Sequence, residues 1–172
     1  MRKIAISAII VAASVALAAT ASAHVTLETR EAPAASTYKA VLRVGHGCEG
    51  TATTTIRVQI PAGVIAVKPM PKQGWTLSTV VGDYPTPVKY YDEMLTKGVK
   101  EIVWTGGSLP DAWYDEFIFR AMLPDVAAGT MVWFPIVQQC EKGVNRWIEI
   151  PAAGKKPDDY KEPAPGVKIL SK

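Results

Sequence analysis

The chain is poor in the residues on which most enzymes rely. Its 172 residues include only two histidines, His24 and His46, and two cysteines, Cys48 and Cys140. Two histidines are too few for a three-His zinc enzyme or an ordinary His-based hydrolase, and Ser36 and Ser78 lack any recognisable base arrangement. HExxH, GxSxG, a P-loop and a Gly-rich dinucleotide turn are all missing, so the enzyme classes built on those motifs are excluded. Met70, Met94, Met122 and Met131 are scattered, as gap-filling core residues are, and make no dense Cu(I) motif. Charge of one sign is lacking too. The first 23 residues hold two of the 19 basic residues and none of the 16 acidic ones, which leaves a charge of +1 for the rest. No basic stripe points to nucleic acid. After the first 20 or so residues no long apolar run follows, and no internal repeat is visible.

What is present begins with an export signal. Arg2 and Lys3 precede an uncharged apolar stretch from Ile4 to Ala19, and Ala21-Ser22-Ala23 has the small-x-small form of a cleavage site. The apolar run is short for a membrane span of roughly 20 residues. Residues 1–23 are therefore expected to be a cleaved signal peptide. Residues 24–172 are then one periplasmic or secreted domain with no membrane span after processing. Cutting between Ala23 and His24 makes His24 the first residue. Its free α-amine and its own Nδ1 can then chelate one metal ion. An α-amine with a pKa of about 7.7–8.0 gives up its proton to a metal at little cost. Two nitrogen donors favour Cu(II) among the divalent first-row ions. The plainer reading is that signal peptidase tolerates many residues after the cut and His24 is there by accident.

In an exported chain Cys48 and Cys140 read first as one disulfide, closing a loop of about 90 residues. Two buried free thiols, or a pair of copper ligands, are the other readings. The rest of the chain is β-patterned. Tyr38, Ala40, Leu42 and Val44 alternate with Lys39 and Arg43; Ile56, Val58 and Ile60 with Thr55, Arg57 and Gln59; Phe117, Phe119 and Ala121 with Ile118, Arg120 and Met122. Glu31–Ala35 reads as a loop, Thr130–Gln139 as a central strand, Asn145–Ile150 as the return of a hairpin, Pro151–Pro165 as a loose Pro/Lys-rich stretch and Val167–Leu170 as a last edge strand. Gly82–Gly98 shows no clear period, with a possible helical turn over Tyr90–Leu95. About nine short strands and almost no helical period predict an all-β fold, an antiparallel immunoglobulin/fibronectin-like β-sandwich.

A set of segments falls in order along the chain: His24-Val25-Thr26-Leu27, Thr54-Thr55-Ile56-Arg57-Val58-Gln59-Ile60-Pro61, Gly63-Val64, Pro71-x-x-Gly74-Trp75, Ile102-Val103-Trp104, Glu116-Phe117-x-Phe119 and Gly143-x-x-x-Trp147. Together they resemble the YcnI-like copper-binding family of exported proteins. The resemblance implies a β-sandwich with a copper site on the N-terminal His. The amine and Nδ1 of that His form a one-histidine brace, a Glu near the second long strand completes it, and a Trp stands beside the metal. His24 matches the brace and Trp147 the Trp, although by composition alone Trp147 reads as core. The Glu matches less directly. Without gaps its place falls on Cys48, and Glu49 lies one position on. His46 is the rival ligand, because a second imidazole gives a two-His brace, as in copper-resistance carriers of the CopC type and copper-dependent polysaccharide oxygenases. A disulfide from Cys48 to Cys140 would hold Glu49 and His46 near the hairpin that carries Trp147; the bland reading of that loop is a stapled polar connection with solvated charges.

The expected function is thus a periplasmic protein that carries or buffers Cu(II), its metal residues being His24, Glu49 or His46, and Trp147 beside the metal. Its partners are the copper ion and other periplasmic or membrane copper-handling proteins. A copper-dependent oxidative enzyme is the second reading, though the five tryptophans are spread among strand-like segments and offer no evident aromatic binding face. A metal-free binding module is the third.

Overall fold

The computed structural model describes residues 24–172; the signal-peptide expectation for residues 1–23 lies outside the described residues. Twelve strands form three sheets. The four-stranded sheet has the order β1-β3-β8-β5, from β1 (Thr26–Leu27), β3 (Thr37–Val44), β8 (Asp115–Met122) and β5 (Ile65–Pro69). The five-stranded sheet runs β11-β10-β4-β7-β6, from β11 (Val144–Trp147), β10 (Ile136–Cys140), β4 (Thr53–Gln59), β7 (Glu93–Leu109) and β6 (Thr76–Tyr90). A three-stranded sheet, β2 (Glu31–Pro33), β12 (Gly166–Leu170) and β9 (Met131–Trp133), runs β2-β12-β9 and buries Ala32, Val132, Val167 and Ile169 in the same core.

The alternation in the sequence sets the faces. In β3, Tyr38, Ala40, Leu42 and Val44 are buried, as are Ile56 and Val58 in β4 and Phe117, Phe119 and Ala121 in β8. A half-buried strand puts every second side chain on the core side. The two larger sheets meet where the Trp104 and Trp75 rings stand edge-on to Phe117, with centroids 5.6 and 4.8 Å apart. The Trp104 indole donates to the Met70 carbonyl at 3.0 Å. With β7 opposite β8, the edge strands β1 and β11 fall at the same side of the sandwich.

Several sequence expectations are corrected. Among the described residues there are twelve strands, not about nine. Glu31–Pro33 is a strand, not a loop, and β2 pairs parallel with β12, so the sheets are not wholly antiparallel. β12 is central in its sheet rather than an edge. Gly82–Gly98 belongs to the long β6–β7 hairpin, and Tyr90 pairs with Glu93 across its tip, where a helical turn was possible. The pattern was obscured because residues 84–87 bulge out of register, with Pro85 and Pro87 unable to donate to a ladder. Thr130–Gln139 is two strands in different sheets, divided at Phe134-Pro135, which explains its apolar character on both faces. The hairpin return ends at Trp147. The Pro/Lys-rich stretch contains one turn of 3-10 helix, Pro157–Asp159, and its end is anchored, with Pro163, Ala164 and Pro165 buried.

Candidate metal centre

The β3–β4 connection is built as a tight turn. Glu49 and Gly50 both have positive φ, 50° and 73°, and the Thr51 amide donates to the Cys48 carbonyl at 2.9 Å. This is the signature of a type I′ turn, which Gly accepts freely and Glu only under constraint. The constraint is the neighbouring β10–β11 turn. Cys48 is bonded to Cys140, with an S–S distance of 2.05 Å and Cα atoms 5.7 Å apart. This bridge excludes the free-thiol reading and the reading of the two cysteines as copper ligands. The Thr51 hydroxyl lies 3.0 Å from the Lys142 carbonyl and 3.1 Å from the Lys142 amide, and the Glu141 amide donates to the Ala52 carbonyl at 3.0 Å. Gly47 has no room for a side chain, since a Cβ there would come within 1.8 Å of the Thr51 carbonyl oxygen.

One side chain ties this loop to the hairpin. Gln138 is fully buried in β10. Its Oε1 accepts from the Trp147 indole N–H at 3.0 Å, and its Nε2 donates to the His46 carbonyl and to Thr53 Oγ1, each at 2.7 Å. Asn145 Nδ2 lies 3.4 Å from the Gly47 carbonyl, and Asp111 Oδ1 accepts from the Gly47 amide at 2.9 Å. None of Gln138, Asn145 and Asp111 is among the residues expected at the site from the sequence. For Gln138 a signal existed. Val132, Phe134, Ile136 and Gln138 alternate on the core side, so Gln138 is a polar residue in an apolar series, and buried amides are held by hydrogen bonds.

Trp147 is 4 % exposed, and both histidines stand edge-on to it. The ring centroid of His24 is 5.4 Å from that of Trp147, and that of His46 is 6.3 Å away. His24 enters from just before edge strand β1 and His46 from the β3–β4 loop. On the other side of β1 the Tyr38 hydroxyl donates to the Thr29 carbonyl, tying the segment after β1 to β3; burial pushes this phenol up to about 12. A pocket of about 180 Å³ opens beside His24, lined by Leu27, Arg30, Met131, Trp133 and Asp158 among others. His46 Nδ1 is bonded to the Gly47 carbonyl. A carbonyl can only accept, so Nδ1 is the donor in this contact; in the neutral ring the lone pair then lies on Nε2, the tautomer that a ligand His needs.

The structure thus brings His24, His46 and Trp147 together. Glu49 is directed elsewhere: its Oε1 is 3.2 Å from where a Cβ on Gly143 would be, so it lies against the β10–β11 turn, where Gly143 has φ 79°. Among the described residues no group of three or more His, Cys, Asp and Glu side chains is arranged to hold a metal. The side-chain donors that could serve a metal here are the two imidazoles of His24 and His46.

A family model described as a domain of unknown function, DUF1775, matches residues 24–169. The chain belongs to the DUF1775 family. This is the YcnI-like family of the sequence resemblance, and the matched span opens on His24. No curated protein matches the chain. Among solved structures, an uncharacterized protein from Nocardia farcinica with an immunoglobulin-like fold is similar, at 24 % identity and a TM-score of 0.62. The match covers 86 % of this chain and 99 % of that one. That likeness supports the sandwich fold of this DUF1775 domain and nothing finer. Among the described residues no helix is long and apolar enough to cross a membrane.

Proposed function

We propose that this DUF1775 domain, exported and cut between Ala23 and His24, binds Cu(II) and carries or buffers it outside the cytoplasm. The observation that carries the reading is that the chain's two histidines, 22 positions apart in sequence, stand against the one Trp147 ring. The α-amine and Nδ1 of His24 supply a chelate, and Nε2 of His46 supplies a third nitrogen. Three nitrogens suit Cu(II), and imidazole also serves Cu(I). Bound copper supplies a one-electron redox couple. The chain's part is to hold the His46 loop against the Trp147 hairpin, through Gln138 and the disulfide. The His46 tautomer favours His46 as the further ligand over Glu49, which would need to swing away from Gly143 to supply a carboxylate.

The test is electron paramagnetic resonance of the protein beginning at His24, loaded with one equivalent of Cu(II). The expected spectrum shows at least three coordinated nitrogens, one of which is lost in His46→Ala. No specific Cu(II) binding would return the domain to a metal-free module. A histidine brace is also compatible with oxygen chemistry, so a copper-dependent oxidative enzyme is the second reading. Reductant-driven oxygen or peroxide consumption above that of free Cu(II) would establish it in place of the carrier.

A further inference from the structure

The outer face of the four-stranded sheet carries three cations side by side. Lys39 in β3 pairs in register with Arg120 in β8, and Arg120 pairs in register with Lys68 in β5. Register partners put their side chains on the same face, about 5 Å apart at Cβ, where like charges repel. All three residues are exposed. Among the described residues none of them has a carboxylate within ion-pair distance. The neighbouring cations on this sheet are matched: Arg43 lies 2.7 Å from Glu28 and 3.9 Å from Glu116, and Lys72 lies 2.6 Å from Asp115. The Arg120 guanidinium reaches only Thr37 Oγ1, at 3.4 Å. Composition does not force the arrangement, because the charge after residue 23 is only +1.

Beside the cations runs an apolar lane. The Met70 amide donates to the Ile118 carbonyl at 2.9 Å, which seats Met70 next to Ile118, and the Met70 side chain is 51 % exposed between Pro69 and Pro71. Cations and lane together line one open groove of about 430 Å³. That volume is in the range of small-ligand sites. A charged end and an apolar end in one concavity match a molecule with the same two ends.

We propose that this groove binds an anionic amphiphile: a single carboxylate or phosphate head received by Lys39, Arg120 and Lys68, with an alkyl body along Met70, Ile118 and Pro69. Arg120, central in the row, offers the planar fork that takes such a head through two hydrogen bonds. None of the groove's residues belongs to the histidine loop, and the proposal does not depend on the copper reading.

The test is titration of the full protein from His24 onward with octyl phosphate and octanoate below their micellar concentrations, followed by calorimetry and by amide chemical shifts. Saturable binding is expected, with shifts confined to β3, β5, β8 and the Met70 segment. Arg120→Gln should weaken binding at least tenfold, Arg120→Lys should recover part of it, and Met70→Ser should weaken it severalfold. Inorganic phosphate, which lacks the body, and octyl glucoside, which lacks the charge, should each bind at least tenfold more weakly. A second measurement needs no ligand: Arg120→Gln relieves the repulsion and should raise the melting temperature by about 1–3 °C. Equal binding of inorganic phosphate or octyl glucoside overturns the proposal. So does binding to anionic vesicles, or to a poly-glutamate peptide, without binding of the monomeric amphiphiles.

Discussion

Trp147 and Gln138 share a buried hydrogen bond, indole N–H to amide oxygen at 3.0 Å, and the same amide holds the His46 carbonyl at 2.7 Å. The contact turns an apolar strand position into the joint between a hairpin and a loop. Truncating it leaves the Trp147 N–H and the His46 carbonyl without the partner they were folded around, and an unsatisfied buried group costs about 1–3 kcal/mol. Gln138→Ala is therefore expected to lower stability by roughly 3 kcal/mol in chemical denaturation. It should also weaken Cu(II) binding, because the His46 loop loses its anchor. A copper affinity unchanged in a folded Gln138→Ala protein would show that the joint serves the fold alone.

The chelate at His24 depends on a free amine. Acetylating the His24 amine converts it into an amide and supplies no new amine in its place, so the chelate is lost. Cu(II) affinity is expected to fall by at least a hundredfold, measured by competition with a chelator of known strength. Equal affinity of the acetylated and free-amine proteins would remove the N-terminal brace from the reading.

Two side chains of the β3–β4 loop compete for the next coordination position. With His46 as ligand, His46→Ala removes one nitrogen from the hyperfine pattern, and Glu49→Gln leaves the pattern and the affinity within about threefold of the parent. The opposite result, an intact nitrogen pattern in His46→Ala and a large loss in Glu49→Gln, assigns the position to the carboxylate and restores the expectation drawn from the family resemblance.

The disulfide joins residues 92 positions apart. For a loop of that length the chain-entropy model gives about 4–5 kcal/mol, an upper figure. Replacing both Cys48 and Cys140 by Ser is expected to lower the denaturation midpoint substantially, and to weaken copper binding in whatever fraction remains folded, since Glu49 and His46 are tied to the hairpin partly through this bond. Intact-mass analysis of the exported protein should show two hydrogens fewer than the reduced chain; two thiols alkylated in denaturant would contradict the bridge.

Tyr38 supplies a pH dependence with a definite sign. Its folded pKa is raised to about 12 from an ordinary 10 by burial. The folded state therefore holds a proton that the unfolded chain releases, so the contribution to stability is complete below pH 10 and is lost as pH rises from 10 towards 12. The loss amounts to at most about 2 kcal/mol. Denaturation midpoints measured between pH 9 and 12 should fall over that window, and less steeply in Tyr38→Phe. An identical slope in both proteins would mean that another group governs the alkaline limit.

What the sequence by itself determined are the features that repeat locally or are written at one place. The alternation of Tyr38 to Val44, of Ile56 to Ile60 and of Phe117 to Ala121 assigns core faces because a strand's two-residue period is a property of the backbone, whatever it packs against. The pairing of Cys48 with Cys140 is the first reading of the chain's two cysteines, and the bridge bears it out. The ordered motifs carried the family. Tertiary structure alone decided the rest. Thr130–Gln139 reads as one strand until the core requires it to pass from one sheet to another at Pro135. The β6–β7 arm loses its period because residues 84–87 bulge out of register with β7. The approach of His24 and His46 to one indole depends on two edge strands meeting at the same side of the sandwich, and on Gln138 bonding across 92 positions to the His46 backbone. No local pattern encodes such an approach, because its free energy comes from burying and satisfying polar groups that only the assembled sheets bring within reach.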